Sequence, residues 1–150
     1  MRLYAESSAV LAWLLGEAEG EDVRQQLAGA EEVFASALTL VEADRVLIRA
    51  QVLEGLKEGE VVDRRRALAR ASQHWHLMRL HEEILDRARR QFPGEPVRTS
   101  DALHLASALA ARSAVPEVAI LSLDSSIRRA STDLGFAILP SGSRERRSSH

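Results

Sequence analysis

A chain of 150 residues, 45% of them hydrophobic, is long enough for one domain that buries roughly 70% of the surface its unfolded form exposes. It contains no cysteine, which excludes a disulfide framework, a thiolate zinc site and a cysteine nucleophile. The net charge of −2 excludes a globally basic nucleic-acid-binding surface but leaves room for a local basic groove.

RLYA, residues 2–5, reads as a short strand, and Ser7 or Ser8 is expected to cap the apolar helix SAVLAWLL that stops at Gly16. Its apolar run AVLAWLL is far below the ~18 residues a membrane span needs and follows Glu6 rather than a basic segment. A soluble, cytoplasmic protein with no membrane association is expected. EAEGEDVRQQLAG predicts an exposed helix ending at Gly29, and EEVFAS a second strand running to Ser36. A long helix over about residues 37 to 55 carries LTLVEADRVLIR, where Glu42 interrupts an apolar stripe and Arg45 and Arg49 follow on roughly its face.

EVVDRRRALARASQ, residues 60 to 73, predicts a helix whose run Arg64, Arg65, Arg66 with Arg70 reads as a solvated face. WHLMRL reads as a short strand and HEEILDRARRQF as a helix broken by Phe92-Pro93-Gly94-Glu95-Pro96. SDALHLASALAARSA is the next helix, with Ser100 the expected N-cap and Pro116 the stop. VAILSL is the clearest strand, SSIRRASTDLG a short helix and FAIL a last strand. Residues 141–150, SGSRERRSSH, are polar and expected to be a disordered tail, which leaves one domain over residues 1–140. Trp13 and Trp75 read as packing or interface anchors, and His74, His76 and His81 show no ligand pattern.

Strands alternating with helices predict an α/β fold, a mainly parallel sheet with helices on both faces. Ligands bind such sheets beyond the carboxyl ends of the strands, so acidic residues there form the candidate set. Glu6 follows the first strand, Asp124 follows VAILSL, Asp101 sits in the first turn of its helix and Glu42 within two turns of a helix start. Each has a bland alternative. Asp101 could answer the helix macrodipole, Asp124 could cap, and Glu42 could pair with Arg45 or Arg49. Together they are harder to dismiss, because two carboxylates ~4 Å apart repel by about 4 kcal/mol at a protein surface unless a cation or proton intervenes. A hard divalent ion, Mg²⁺ or Mn²⁺, meets that need with oxygen ligands alone. No phosphate-cradling GxxxxGK[ST] or dinucleotide GxGxxG motif is present.

YAESSAVLAWLL resembles the opening motif of PIN-domain proteins, LTLVEADRVLIR their internal Glu helix, RTSDALHLASALA their central Asp motif, and LSLDSSIRRASTDLGFAIL their last Asp strand and helix. The resemblance covers residues 1 to 140 in order and is nearest to the VapC-type toxins of toxin–antitoxin pairs. It implies a three-layer α/β/α sandwich and a metal-dependent endoribonuclease in which Glu6, Glu42, Asp101 and Asp124 hold one or two Mg²⁺ or Mn²⁺ ions. Products with 5′-phosphate and 3′-hydroxyl ends follow from that chemistry. Ser7, Ser122, Arg45 and His104 are the supporting candidates, the serines donating to a ligating carboxylate or to metal-bound water and Arg45 either binding phosphate at the groove edge or, as preferred, neutralising the acidic site. An RNA substrate, a VapB-like antitoxin and a homodimer are implied as partners.

Glu6 departs from the family's usual Asp. A methylene moves its carboxylate by about an ångström, and such a displacement can cost about 100-fold in rate. This keeps open a catalytically impaired PIN-like module that binds RNA or protein. A receiver-type or haloacid-dehalogenase-type site would need a lysine beside the acids, and the only one, Lys57, lies in a KEGE turn.

Overall fold

The computed structural model describes residues 1–141. Five strands, β1 (Arg2–Ala5), β2 (Glu32–Ser36), β3 (His76–Met78), β4 (Val118–Leu121) and β5 (Ile138–Leu139), form one sheet in the order β3-β2-β1-β4-β5, and every neighbouring pair is parallel. The helices are α1 (Ser7–Leu14), α2 (Gly20–Gly29), α3 (Ala37–Leu53), α4 (Glu58–Ser72), α5 (Glu82–Ala88), α6 (Thr99–Ala114) and α7 (Ser125–Asp133). The expected α/β/α sandwich is thus present. No helix among the described residues is long and apolar enough to cross a membrane. The expected tail lies, apart from Ser141, outside the described residues.

Alternation along the strands sorts side chains to the two faces. Tyr4 lies between Phe34 and Ile120 in register, and this row packs with Ile84, Leu105, Ile127 and Phe136 beneath α5, α6 and α7. Leu3, Ala5, Val33, Ala119 and Leu121 face the other way, onto Ala9, Val10 and Leu14 of α1, Val23 of α2, Ala43 of α3 and Leu68 of α4. With apolar side chains on both faces, the central strands read as near-continuous hydrophobic runs. Trp13 and Trp75 pack, partly buried, against the second of these cores.

The chain builds outward from β1 to β2 and β3, then returns across the sheet to lay β4 on the other side of β1. The strand order therefore reverses between β1 and β4. At such a point neighbouring connections leave in opposite directions and open a crevice beyond the strand ends. Glu6 and Asp124 stand just past those two ends.

Several boundaries differ from the sequence expectation. The N-cap of α1 is Glu6, not Ser7 or Ser8, because its carboxylate accepts the Ser8 N–H while both serine hydroxyls are engaged elsewhere. Helix α6 starts at Thr99 with Arg98 as N-cap, so Ser100 lies inside the first turn. The strands in WHLMRL and FAIL shrink to three and two residues, since each is an edge strand with a single pairing partner and Pro140 ends the second. In VAILSL the strand ends at Leu121; the Ser122 N–H still donates to the Leu139 carbonyl at 3.0 Å, while its side chain takes a role described below.

Gly16 ends α1 as expected. At φ +68° it lets the Gly16 N–H reach the Trp13 carbonyl and the Glu17 N–H reach the Ala12 carbonyl, a Schellman closure. Gly20 has a different task. A Cβ there would stand 2.5 Å from the Ala12 carbonyl oxygen, so α2 can lie against α1 only without a side chain. Gly20→Ala is expected to lower stability by about 1–3 kcal/mol in urea unfolding. Gly59→Ala, where nothing stands within 4 Å, serves as the control and should be neutral or stabilising.

Candidate active site

At the end of β1 the backbone of Glu6 stays extended (φ −85°, ψ 153°), which turns its side chain back over the start of α1. Oε2 accepts the Ser8 N–H at 3.0 Å, and Oε1 accepts the Ser8 and Ser122 hydroxyls, each at 2.5 Å. Ser122 Oγ in turn accepts the Asp124 N–H at 3.1 Å, and Ser8 Oγ accepts the Leu123 N–H at 2.9 Å. The ends of β1 and β4 are thereby tied through one carboxylate, which is only 5% exposed. Buried Arg128 holds the same turn by donating to the Ser122 carbonyl at 2.8 Å and the Pro140 carbonyl at 3.0 Å. Asp124 caps α7 through Oδ1, which accepts the Ile127 N–H at 2.9 Å.

Glu42 belongs to a second, adjoining network. The Ser36 hydroxyl caps α3 at the end of β2, and the following turns bring Glu42 toward Ser7 on α1 and His104 on α6. Glu42 Oε1 accepts from Ser7 Oγ at 2.6 Å and from His104 Nε2 at 2.6 Å. Ser7 Oγ also lies 3.2 Å from Thr39 Oγ1 and 2.9 Å from His104 Nε2. The other ring nitrogen, Nδ1, is 2.9 Å from the Tyr4 hydroxyl. Burial pushes the Glu42 carboxyl up, but the donations from His104 and Ser7 outweigh it and leave the group below its ordinary value.

Glu42 is therefore not a surface partner of Arg45 or Arg49. Both arginines are exposed and make no ion pair or hydrogen bond among the described residues. His104, whose side chain was one candidate among several, is 2% exposed and central to the cluster. The run on α4 behaves as a solvated face, with Arg64 on Glu60 and Arg65 on Asp44.

Asp101, in the first turn of α6, is half-buried and has no hydrogen-bond partner among the described residues. Burial raises its carboxyl above the ordinary value, and the charges of Asp124 and Glu6 raise it further, against smaller opposing effects of His104 and Arg98. Asp101 thus feels the charges of both Asp124 and Glu6, and Glu42 is linked to it through His104, one turn from Asp101 on α6.

As they stand, no three carboxylate or imidazole groups among the described residues close on a common point tightly enough to enclose an ion. The oxygens left without donors nevertheless suit a hard cation. Both oxygens of Asp101, Oδ2 of Asp124 and Oε2 of Glu42 have no protein partner among the described residues, and all are carboxylate oxygens. Glu6 differs, since both of its oxygens already accept.

Three members of the two networks, Tyr4, Ser8 and Thr39, were not assigned to the site from sequence. Tyr4 is the sole tyrosine, and its inward place between Leu3 and Ala5 was a signal, because a buried phenol must find a partner. Ser8 was read only as a cap, yet it joins Glu6 to the β4 turn. No local pattern marks that role.

A family model for the PIN domain matches residues 3–132. Ribonuclease VapC46 of Mycobacterium tuberculosis is 33% identical over 137 residues, covering 91% of this chain and 95% of that protein. Ribonuclease VapC35 of the same species is 30% identical over 146 residues, covering 93% and 97%. Among solved structures, VapC20 of M. tuberculosis, described as a sarcin-ricin loop cleaving toxin, superposes with a TM-score of 0.61 at 15% identity, covering 90% of this chain and 96% of that one. VapBC2 from Rickettsia felis, bound to a DNA fragment from its promoter, gives 0.62 at 10% identity over 92% and 97%. The chain belongs to the PIN-domain family and, within it, to the VapC-type toxin ribonucleases.

The Tyr4 phenol is fully buried, and desolvation raises its pKa far above the ordinary 10.0. The folded state therefore holds this proton more tightly than the unfolded chain, so its stabilisation is complete below pH 10 and declines as the pH rises beyond it. As the sole tyrosine, it should give no tyrosinate absorbance above pH 10 until the fold is lost, and both signals should then change together. A tyrosinate signal preceding unfolding would contradict this burial.

Proposed function

We propose that this protein is a Mg²⁺- or Mn²⁺-dependent endoribonuclease that hydrolyses RNA phosphodiester bonds and acts in the cytoplasm as the toxin of a VapB-like and VapC-like pair. The observation that carries this reading is the set of carboxylate oxygens on Glu42, Asp101 and Asp124 that have no donor among the described residues, at the switch-point crevice. With Glu6 they supply an all-oxygen site for a hard ion. When bound, such an ion acts as a Lewis acid that activates water and offsets charge at the scissile phosphate.

The protein's own groups do the positioning. Ser8 and Ser122 orient Glu6, and Ser7 and His104 orient Glu42. Arg45 and Arg49 on α3, and Arg98 at the start of α6, are exposed guanidiniums free to take RNA phosphates at the crevice rim. The domain responsible spans residues 1–140, and a homodimer and a VapB-like antitoxin complete the assembly. The ribonuclease names of the 33% and 30% identical relatives support the activity, and the VapBC2 neighbour supports the antitoxin.

One observation favours the alternative of an impaired binding module: Glu6, longer than the family's usual Asp, folds back to cap α1 with both oxygens engaged. A panel of structured RNAs assayed with Mg²⁺, Mn²⁺ and EDTA separates the two. Cleavage is expected with either ion and none with EDTA, and Asp101→Asn should reduce the rate by at least about 100-fold. Cleavage that persists in EDTA would refute metal dependence, whereas RNA or metal binding without cleavage would establish the binding module.

A further inference from the structure

The hydroxyl of Tyr4 stands at the far end of a buried file that reaches Glu42 without touching it. Tyr4 is 1% exposed and His104 2% exposed, so neither side chain has solvent to satisfy its polar atoms. Tyr4 Oη lies 2.9 Å from His104 Nδ1, and His104 Nε2 lies 2.6 Å from Glu42 Oε1. A carboxylate oxygen accepts, so Nε2 must carry a hydrogen for that contact to be favourable. The two neutral imidazole tautomers lie close in energy in water, and which one persists in a protein depends on what the second nitrogen meets. Here it meets a phenol at 2.9 Å, a group able to donate to Nδ1 when the ring hydrogen is on Nε2.

We propose that Tyr4 is a positioning residue for Glu42: by donating to His104 Nδ1 it fixes the ring with Nε2–H on Oε1, which leaves Oε2 as the oxygen offered to a cation. This rests on the function proposed above and adds a residue to it. The geometry has a direct consequence at Glu42. Ser7 and His104 both donate to the same oxygen, Oε1, so the carboxylate is held from one side. Oε2 receives no donor among the described residues. Without the phenol hydroxyl, Nδ1 becomes a buried ring nitrogen with no partner among the described residues, and Glu42 alone is left to hold the hydrogen on Nε2. A turn of the ring, or a shift of its hydrogen to Nδ1, that relieves this cost gives up the Nε2–H donation to Oε1 and releases Glu42 from its present rotamer. Thr39, which touches Ser7 Oγ at 3.2 Å, cannot substitute, because it does not reach the ring.

Tyr4→Phe removes one oxygen from a site that already packs a ring between Phe34 and Ile120, so the fold should survive. Circular dichroism and the unfolding midpoint check this. Three readouts test the role. In the metal-free protein, long-range ¹H–¹⁵N spectra should show His104, assigned with His104→Gln, as the Nε2–H tautomer in wild type and as a mixture in Tyr4→Phe. Titration with MnCl₂ alone should show affinity reduced by about 10-fold in Tyr4→Phe. With RNA, kcat should fall while KM stays unchanged, because the hydroxyl contacts no substrate. The pair Tyr4→Phe and His104→Gln should be strongly non-additive, the double variant being no worse than His104→Gln alone.

An unchanged tautomer in Tyr4→Phe would overturn the proposal, as would fully additive losses. The tautomer is read without metal or RNA. If wild type neither binds Mn²⁺ nor cleaves RNA, the proposed function fails, while the spectra still decide whether Tyr4 sets the ring. If Tyr4→Phe fails to fold, the spectrum of wild type alone remains decisive: a ring with its hydrogen on Nδ1 would refute the donation.

Discussion

The carboxylate of Glu6 is the constraint around which the crevice is built. A charged group with 5% exposure would be costly by several kcal/mol if left without partners, and its neighbours are arranged so that it is not. Its three donors come from Ser8 and Ser122, on opposite sides of the junction between β1 and β4. The need to satisfy one buried charge thus ties the first central strand to the last one to join it. The same turn presents Asp124, because the Ser122 hydroxyl that donates to Glu6 also accepts the Asp124 N–H.

The neighbouring network obeys the same logic with different partners. Tyr4, His104, Ser7 and Thr39 are all buried, and each finds its hydrogen-bond partner within the group or in Glu42. Four elements contribute, namely β1, α1, α3 and α6. Loosening any of them would leave an unsatisfied polar atom in the interior, so this cluster couples the packing of the helices to the geometry of the acidic edge. Asp101, Asp124 and, at Oε2, Glu42 itself keep oxygens without protein donors among the described residues. That asymmetry between acids held by the protein and acids left open is what distinguishes a site from a set of caps.

Glu6 stands where the resemblance implies an Asp, and the structure shows what its longer side chain reaches. The additional methylene lets the carboxylate reach back to the Ser8 N–H and act as the helix cap. Asp also caps well, but with shorter reach. The longer chain allows one residue both to end β1 and to bridge to Ser122. Its oxygens are consequently more engaged than those of Asp101.

Much of this was legible in the residues themselves. Strand and helix alternation, the Gly16 stop and the apolar run VAIL before Ser122 dictate a parallel α/β sheet, because periodicity and backbone freedom are local properties. The position of each acid just past a strand or in an early helical turn is local in the same sense. What no stretch of chain encodes by itself is who meets whom. Glu42 reads equally well beside Arg45, three residues on, as beside His104, 62 residues on; only folding, which buries His104 and leaves Arg45 in water, decides for the second. Ser7 and Ser8 look like interchangeable caps until the return of β4 beside β1 sends one to Glu42 and the other to Glu6. Hydrogen-bond partners in an interior are chosen by three-dimensional proximity and the exclusion of water, and neither exists before the layers close.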